Sequence, residues 1–291
     1  MMTKGPNFFI LGAPKCGTTS LARWLGAHPE IFMSPIKEPH YFSTDLANRS
    51  VKSRRQYDRL FRDVTDAHRA VGEASTWYLY SRDAVPAIER ELPNARYIVM
   101  TRDPVQMAHS LYHHNLRVLH EDQPTFERAW LLQEERARGQ SIPSTCAEPA
   151  FLQYRDVCAL GTHLQRLLDT VPADRILHLP LEAMQADTRR EYQRVLSFLE
   201  VPDDGRNQFP VANEARGHRS RVLQRVLKLG GKARMALGIQ KGFGLGRIND
   251  RPAPKAALSD EFVEELDLSF AREKALLARL TDELNGTEGG P

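Results

Sequence analysis

Residues 8 to 29 read FFILGAPKCGTTSLARWLGAHP, and their order suits anion chemistry. An apolar run ends at Gly12 and Pro14. Lys15, Cys16, Gly17, Thr18, Thr19 and Ser20 follow, and a helical pattern opens at Thr18. The first N–H groups of a helix lack intrahelical partners and point outward, and the helix dipole adds to their attraction for an anion. Gly17 lets the backbone come close to an oxyanion. Lys15 supplies a mobile positive charge, and Thr18 and Thr19 supply hydroxyl donors. The loop is not that of a nucleotide triphosphatase, which needs GxxxxGK[ST] with lysine directly after the second glycine. Here Lys15 stands two residues before Gly17. A loop this short suits a 5′-phosphate carrying one transferable group. The plain alternative is an ordinary strand-to-helix turn.

Further candidates lie downstream. RYIVMTRDPVQMAHSLY, residues 96 to 112, reads as a buried strand that delivers Arg102 to the carboxyl end of a sheet, where open α/β sheets bind ligands. Arginine's planar fork can hold a phosphate bidentately, and Ser110 lies eight residues on. The alternative is a structural Arg102–Asp103 turn. PIKEPHYF, residues 35 to 42, carries a carboxylate and an imidazole two residues apart. Glu38 can accept a proton if burial raises its pKa and geometry places it in reach. His40 titrates near neutrality and can share or replace that role. The competing reading pairs Glu38 with Lys37 or with arginines on a surface loop. His109 and His113 have the i, i+4 spacing of metal ligands, but no third ligand is evident and no metal is expected.

These groups need a scaffold. Short apolar runs at 7–12, 71–73, 96–101 and 175–179 alternate with helical patterns at 18–27, 84–92, 104–118, 126–138, 151–168 and 188–199. Strand–helix alternation implies one α/β domain with a central parallel sheet flanked by helices on both faces. Thr188 and Glu191 are spaced as a capping box. The core is expected over about 6–200, a basic segment over 203–257, and an amphipathic helix over 259–284, with Phe262, Leu266, Phe270, Leu277 and Leu284 on one face. The length of 291 residues suffices for a sizeable core, and a net charge of +3 gives no global field for nucleic acid. Between Arg216 and Lys255, however, eleven Lys or Arg face one acid, Asp250. Such a run can lie on an anionic membrane surface. Three cysteines without CxxC spacing argue against a disulfide framework or a zinc site, and a cytoplasmic location is expected. No secretion signal is visible. Oligomeric state is not legible.

PxKxGTTxL after an N-terminal strand resembles the 5′-phosphosulfate loop of sulfotransferases that use 3′-phosphoadenosine 5′-phosphosulfate, in the branch of heparan sulfate sulfotransferases and their bacterial relatives. The resemblance implies a P-loop-like fold and transfer of a sulfuryl group to a hydroxyl or amine of a carbohydrate, lipid or small-metabolite acceptor, leaving adenosine 3′,5′-bisphosphate. It implies that Lys15 contacts the bridging oxygen and that Arg102 and Ser110 hold the 3′-phosphate. It implies that Glu38 is the base, by similarity to a KExHFF segment. GEASTWYLYS, residues 72 to 81, resembles the family's GExxxxY block, which puts Glu73 near the site and Tyr78 along the acceptor cleft. Many glycosaminoglycan enzymes carry lysine after this glutamate, where this chain has Ala74. NEARGHRSRVLQRVL, residues 213 to 227, resembles a segment that closes over the nucleotide, with Arg219 as a further 3′-phosphate contact and Arg216 and Arg221 behind it. Two other classes stay open: a small-metabolite kinase, and a non-catalytic nucleotide or membrane-surface binding protein.

Overall fold

The structure is a computed structural model that describes residues 5–211, 216–218, 250–252 and 257–288. Its centre is a sheet of β1 (Phe8–Ile10), β2 (Ile31–Met33), β3 (Ala70–Ala74), β4 (Arg96–Thr101) and β5 (Ile176–Pro180). The spatial order is β2-β3-β1-β4-β5 and every neighbouring pair is parallel. A parallel sheet covered on both faces needs apolar residues on both, which explains the unbroken FFI and YIVM runs. Phe8 and Ile10 pack into one layer with Trp24, Leu111 and Phe126, while Phe9 and Leu11 pack into the other with Tyr57, Tyr78 and Leu164. The chain leaves β1 toward the β2 edge and leaves β4 toward β5. Adjacent strands with oppositely directed exits open a crevice at their carboxyl ends, the usual ligand site of such sheets.

Helices α1 (Thr18–Leu25), α2 (Arg54–Asp58), α3 (Ala84–Glu91) and α4 (Pro104–Arg117) follow the first four strands or their loops. Pro104 opens α4, and the Asp103 carboxylate accepts the Gln106 N–H at 2.9 Å. The long helices expected over 126–138 and 151–168 are interrupted. The first is α5 (Phe126–Leu131) and α6 (Gln133–Ala137), and the second is a 3-10 turn at Pro149–Leu152 followed by α7 (Tyr154–Val157) and α8 (Leu160–Leu168). The breaks let this region wrap one buried charge. Arg136 has a fully buried side chain and donates to both Glu121 oxygens at 2.7 Å, while Tyr154 donates to Glu121 at 2.8 Å.

After β5 come α9 (Leu181–Ala186) and α10 (Thr188–Phe198). The expected capping box at Thr188 does not form. Asp187 accepts the Arg190 N–H at 3.0 Å, and Thr188 donates back to Met184 at 2.7 Å. A carboxylate one residue earlier takes the capping position. Residues 201–211 strap this layer to α1: Phe209 meets Trp24 edge-on at 5.1 Å, and the Trp24 indole donates to the Pro210 carbonyl at 3.1 Å. The sequence patterns gave no sign of β2, nor of the antiparallel pair β6 (Arg216–His218) and β7 (Asp250–Pro252).

The last element is α11 (Asp260–Glu288), with Ser259 accepting the Phe262 N–H at 3.3 Å. Its Phe262, Leu266 and Phe270 join the first layer, and Leu280 and Leu284 join the second. The helix therefore runs past the β5 edge and shields it. His178 of β5 links it inward, one ring nitrogen lying 2.7 Å from Thr101 and the other 3.2 Å from Thr281. No helix among the described residues is long and apolar enough to cross a membrane.

Candidate active site

The two phosphate-type motifs meet at the switch point. Ala13 donates its N–H to Met100 of β4, so the loop after β1 is sewn to the strand that ends at Arg102. Gly17 takes the N-cap position of α1 at φ 89°, a left-handed conformation, with no side-chain cap and no acidic residue in the first turn. An uncapped, acid-free helix start leaves its outward amides for a ligand. Gly12, at φ 27°, is required sterically: a Cβ there would lie 2.0 Å from Thr18 Cγ2. The absence of a side chain at Gly12 lets buried Thr18 fold beneath the loop. Lys15, Gly17, Thr19 and Ser20 are partly exposed at the rim.

Cys16 departs from the expectation for a donor-binding residue. Its side chain is fully buried against Met107 Sδ at 3.9 Å, and its N–H donates to Ala13 at 3.3 Å. Burial pushes its thiol pKa well up, although Arg102 and Lys15 act the other way. Its place in the loop is as a core anchor.

Arg102 donates to Gln106 Oε1 at 2.9 Å, and none of the described ion pairs involves it. It lines a cavity of about 590 Å³ with Asp103, Gln106 and His109 on the α4 side and Leu258, Val263 and Lys274 on the α11 side. Ser110 is nearly buried on α4 and does not line that cavity. His109 and His113 approach each other at 2.9 Å through their Nε2 atoms, and no group of three metal-ligating residues occurs among the described residues.

Glu38 and His40 sit on a turn braced by many hydrogen bonds. Both have left-handed backbones, at φ 63° and 51°, as does Lys15 at 70°. Such strain in residues bearing a Cβ persists only where the surroundings enforce it. Here the Glu38 N–H donates to Ala74 at 2.9 Å, the His40 N–H to Ser75 Oγ at 3.1 Å, and the Phe42 N–H to the Tyr78 hydroxyl at 3.1 Å. The Ser75 hydroxyl donates in turn to Glu73 Oε1 at 2.7 Å, and Tyr57 donates to the other oxygen. Burial raises the Glu73 pKa despite these hydroxyls. Glu73 and Tyr78 have no solvent exposure, so neither presents a surface to an open cleft. They lie under the turn and shape it.

The charge state of Glu38 differs from the condition set by its sequence. Burial does push its pKa upward, but the facing His40 ring and Lys37 outweigh it and hold the carboxyl at about 2. Lys37 contacts Oε1 directly, His40 Nε2 lies 3.6 Å from Oε2, and Thr76 donates to Oε1 at 3.3 Å. The pairing of Glu38 with Lys37, the competing reading of the sequence, is present. His40 is buried and its Nδ1 has no hydrogen-bond partner among the described residues.

One residue at this site escaped the sequence reading. His114 of α4 is held neutral, its pKa lowered to about 3 by burial and then by the charges of Lys15 and Arg117, with Glu38 acting oppositely. Its imidazole thus shares one neighbourhood with Lys15 and Glu38. The available signal was its position four residues after Ser110, on the same helical face. Arg219 and most of the basic segment 203–257 lie outside the described residues.

The parallel sheet and its flanking helices agree with the comparisons. The sequence profile of the sulfotransferase domain matches residues 5–209. The chain belongs to the sulfotransferase family. A solved sulfotransferase from Alicyclobacillus acidocaldarius superposes with a TM-score of 0.63 at 29% identity, over 84% of this chain and 99% of that one. The membrane-associated sulfotransferase kil1 of Dictyostelium discoideum is 34% identical over 116 residues, 39% of this chain and 24% of its own length. The human heparan sulfate glucosamine 3-O-sulfotransferase 3B1 is 28% identical over 200 residues, 67% of this chain and 46% of its own. The chain thus spans less than half the length of these two curated relatives. The profile match ends at 209, before α11, which forms one wall of the Arg102 cavity.

Proposed function

We propose that this chain moves a sulfuryl group from 3′-phosphoadenosine 5′-phosphosulfate to a hydroxyl or amine of an acceptor. The observation that carries the reading is the pairing of an uncapped helix start at Gly17 with an arginine just after β4 that has no carboxylate partner among the described residues, across one switch-point crevice. A nucleotide with phosphates at both ends fits two anion sites on adjacent strands. The opening amides of α1 with Thr18, Thr19 and Ser20 would hold the phosphosulfate, and Arg102, with Ser110 behind it, the 3′-phosphate. Arg219 is the further candidate for that phosphate. No metal is required.

The acceptor oxygen or nitrogen attacks sulfur in line as the bridging S–O bond breaks. Charge then grows on the bridging oxygen, where Lys15 and the helix start stabilise it, as fixed charges do in phosphoryl transfer. Glu38 takes the acceptor proton, with His40 as its partner. A carboxyl held near pH 2 is a weak base, so acceptor binding has to draw Lys37 off Glu38 before the proton moves. His114, neutral beside Lys15, can accept a hydrogen bond from the entering hydroxyl. The heparan sulfate relative names a carbohydrate acceptor, which makes saccharide hydroxyls the first class to screen, followed by lipids and small metabolites. Membrane contact through 216–255 belongs to the same proposal, as does a cytoplasmic location.

The test supplies ³⁵S-labelled donor with an acceptor panel and follows labelled product. Wild type transfers label, and Lys15→Ala stays folded while losing most turnover. Near-normal transfer by that variant rejects the leaving-group role. Transfer from ATP with magnesium instead would establish the kinase reading.

A further inference from the structure

Asp103 is the nearest carboxylate in sequence to Arg102, and it lines the same cavity. Left alone, it is the natural partner for the guanidinium one residue away, and an arginine so neutralised holds a phosphate poorly. In the structure Asp103 is otherwise engaged. Its Oδ1 accepts the Gln106 N–H at 2.9 Å, and its Oδ2 lies 2.7 Å from Lys274 Nζ. Lys274 comes from α11 and also reaches Asp267 Oδ1 at 2.6 Å. Both carboxylates that line the cavity are thus tied to one ammonium, while Arg102 is left with a neutral amide oxygen. The Thr101–His178–Thr281 bridge holds α11 against the strand that ends at Arg102.

We propose that Lys274 is a positioning residue for donor recognition: it sequesters Asp103 and Asp267, and so keeps Arg102 available to a 3′-phosphate. This inference rests on the donor reading above. It assigns a role in nucleotide selection to a helix that follows the stretch matched by the sulfotransferase profile. Without Lys274, Asp103 turns to Arg102 and neutralises it, and Asp267 is left uncompensated in the cavity wall, where it repels a phosphate.

The test compares adenosine 3′,5′-bisphosphate with adenosine 5′-monophosphate by calorimetric titration of the full chain. The two ligands differ only in the 3′-phosphate. Wild type prefers the bisphosphate. Lys274→Met, which keeps the aliphatic stem, weakens bisphosphate binding roughly five-fold, the scale of one partly exposed ion pair, and leaves the monophosphate unchanged. Adding Asp103→Asn, which preserves a capping side chain, restores the preference. An unchanged preference in Lys274→Met overturns the inference while the donor reading stands. Loss without rescue by Asp103→Asn also overturns it, since Lys274 would then touch the phosphate itself. A wild-type chain that does not distinguish the two nucleotides removes the 3′-phosphate site, and both readings fall.

Discussion

Replacing Gly12 by alanine tests whether the phosphate loop is built as described. The new Cβ would stand 2.0 Å from Thr18 Cγ2, far inside van der Waals contact, and Thr18 is itself buried. Forcing atoms into a packed site costs about 1–3 kcal/mol, and a left-handed backbone costs a residue with a Cβ about 1–2 kcal/mol more. The sum corresponds to a fall in Tm of about 3–8 °C for a chain of this size. Gly139→Ala is the control. It has φ 79°, but nothing lies within 4 Å of its would-be Cβ, so only the backbone cost of about 1–2 kcal/mol applies. The decisive difference is in binding. Gly12→Ala displaces Thr18, and losing one hydroxyl bond to a charged phosphate weakens adenosine 3′,5′-bisphosphate about ten-fold or more. Gly139→Ala leaves that affinity unchanged. Thermal unfolding and calorimetric titration read both quantities. Unaltered nucleotide affinity in Gly12→Ala would refute the geometry assigned to the loop.

Two further outcomes follow from buried or paired charges. Arg136→Met leaves Glu121 ionised and buried without its cation, held only by Tyr154 and the Asp122 and Gln123 N–H groups, and urea denaturation should show a loss of about 3–5 kcal/mol. A loss under 1 kcal/mol would mean that Glu121 finds water or a proton at little cost. Glu38, depressed to about 2, stays ionised above that pH, so any stability it adds is present above the ordinary carboxylate range and is lost as pH falls from about 4.5 through 2. Lys37→Met should raise the Glu38 midpoint, though not fully, because His40 still faces it. Carboxyl-carbon NMR titration measures this, and an unmoved midpoint would show that Lys37 does not hold the charge.

The fold was legible where period and punctuation agreed. Residues 96–101 could only be a buried strand, and Pro104 marked the next helix start. The breaks at Leu132 and around Cys158 were hidden because burying Arg136 with Glu121 is a tertiary event that leaves no periodic trace. Strand β2 was missed because its Ile31–Met33 run is shorter than the apolar stretch that marks β1, where Leu11 extends Phe8–Ile10 into the glycine turn. At the site, glycine, lysine and threonine in a fixed order disclosed the loop, since each type answers one need of a bound oxyanion. Lys274 was not legible, and His114 offered only its spacing from Ser110. A histidine four residues along a helix from Ser110 looks like any other helical histidine, and the Lys274–Asp103 pair joins positions 171 residues apart by α11 packing.

The central claim is that Lys15 and Arg102 hold opposite ends of one nucleotide. Phosphorus NMR of adenosine 3′,5′-bisphosphate bound to the full chain reads the two ends separately. Both resonances should shift on binding, with Lys15→Ala removing the effect at the 5′-phosphorus and Arg102→Ala removing it at the 3′-phosphorus. If neither resonance moves with wild type, or if the two variants act on the opposite ends, the account of this crevice is contradicted.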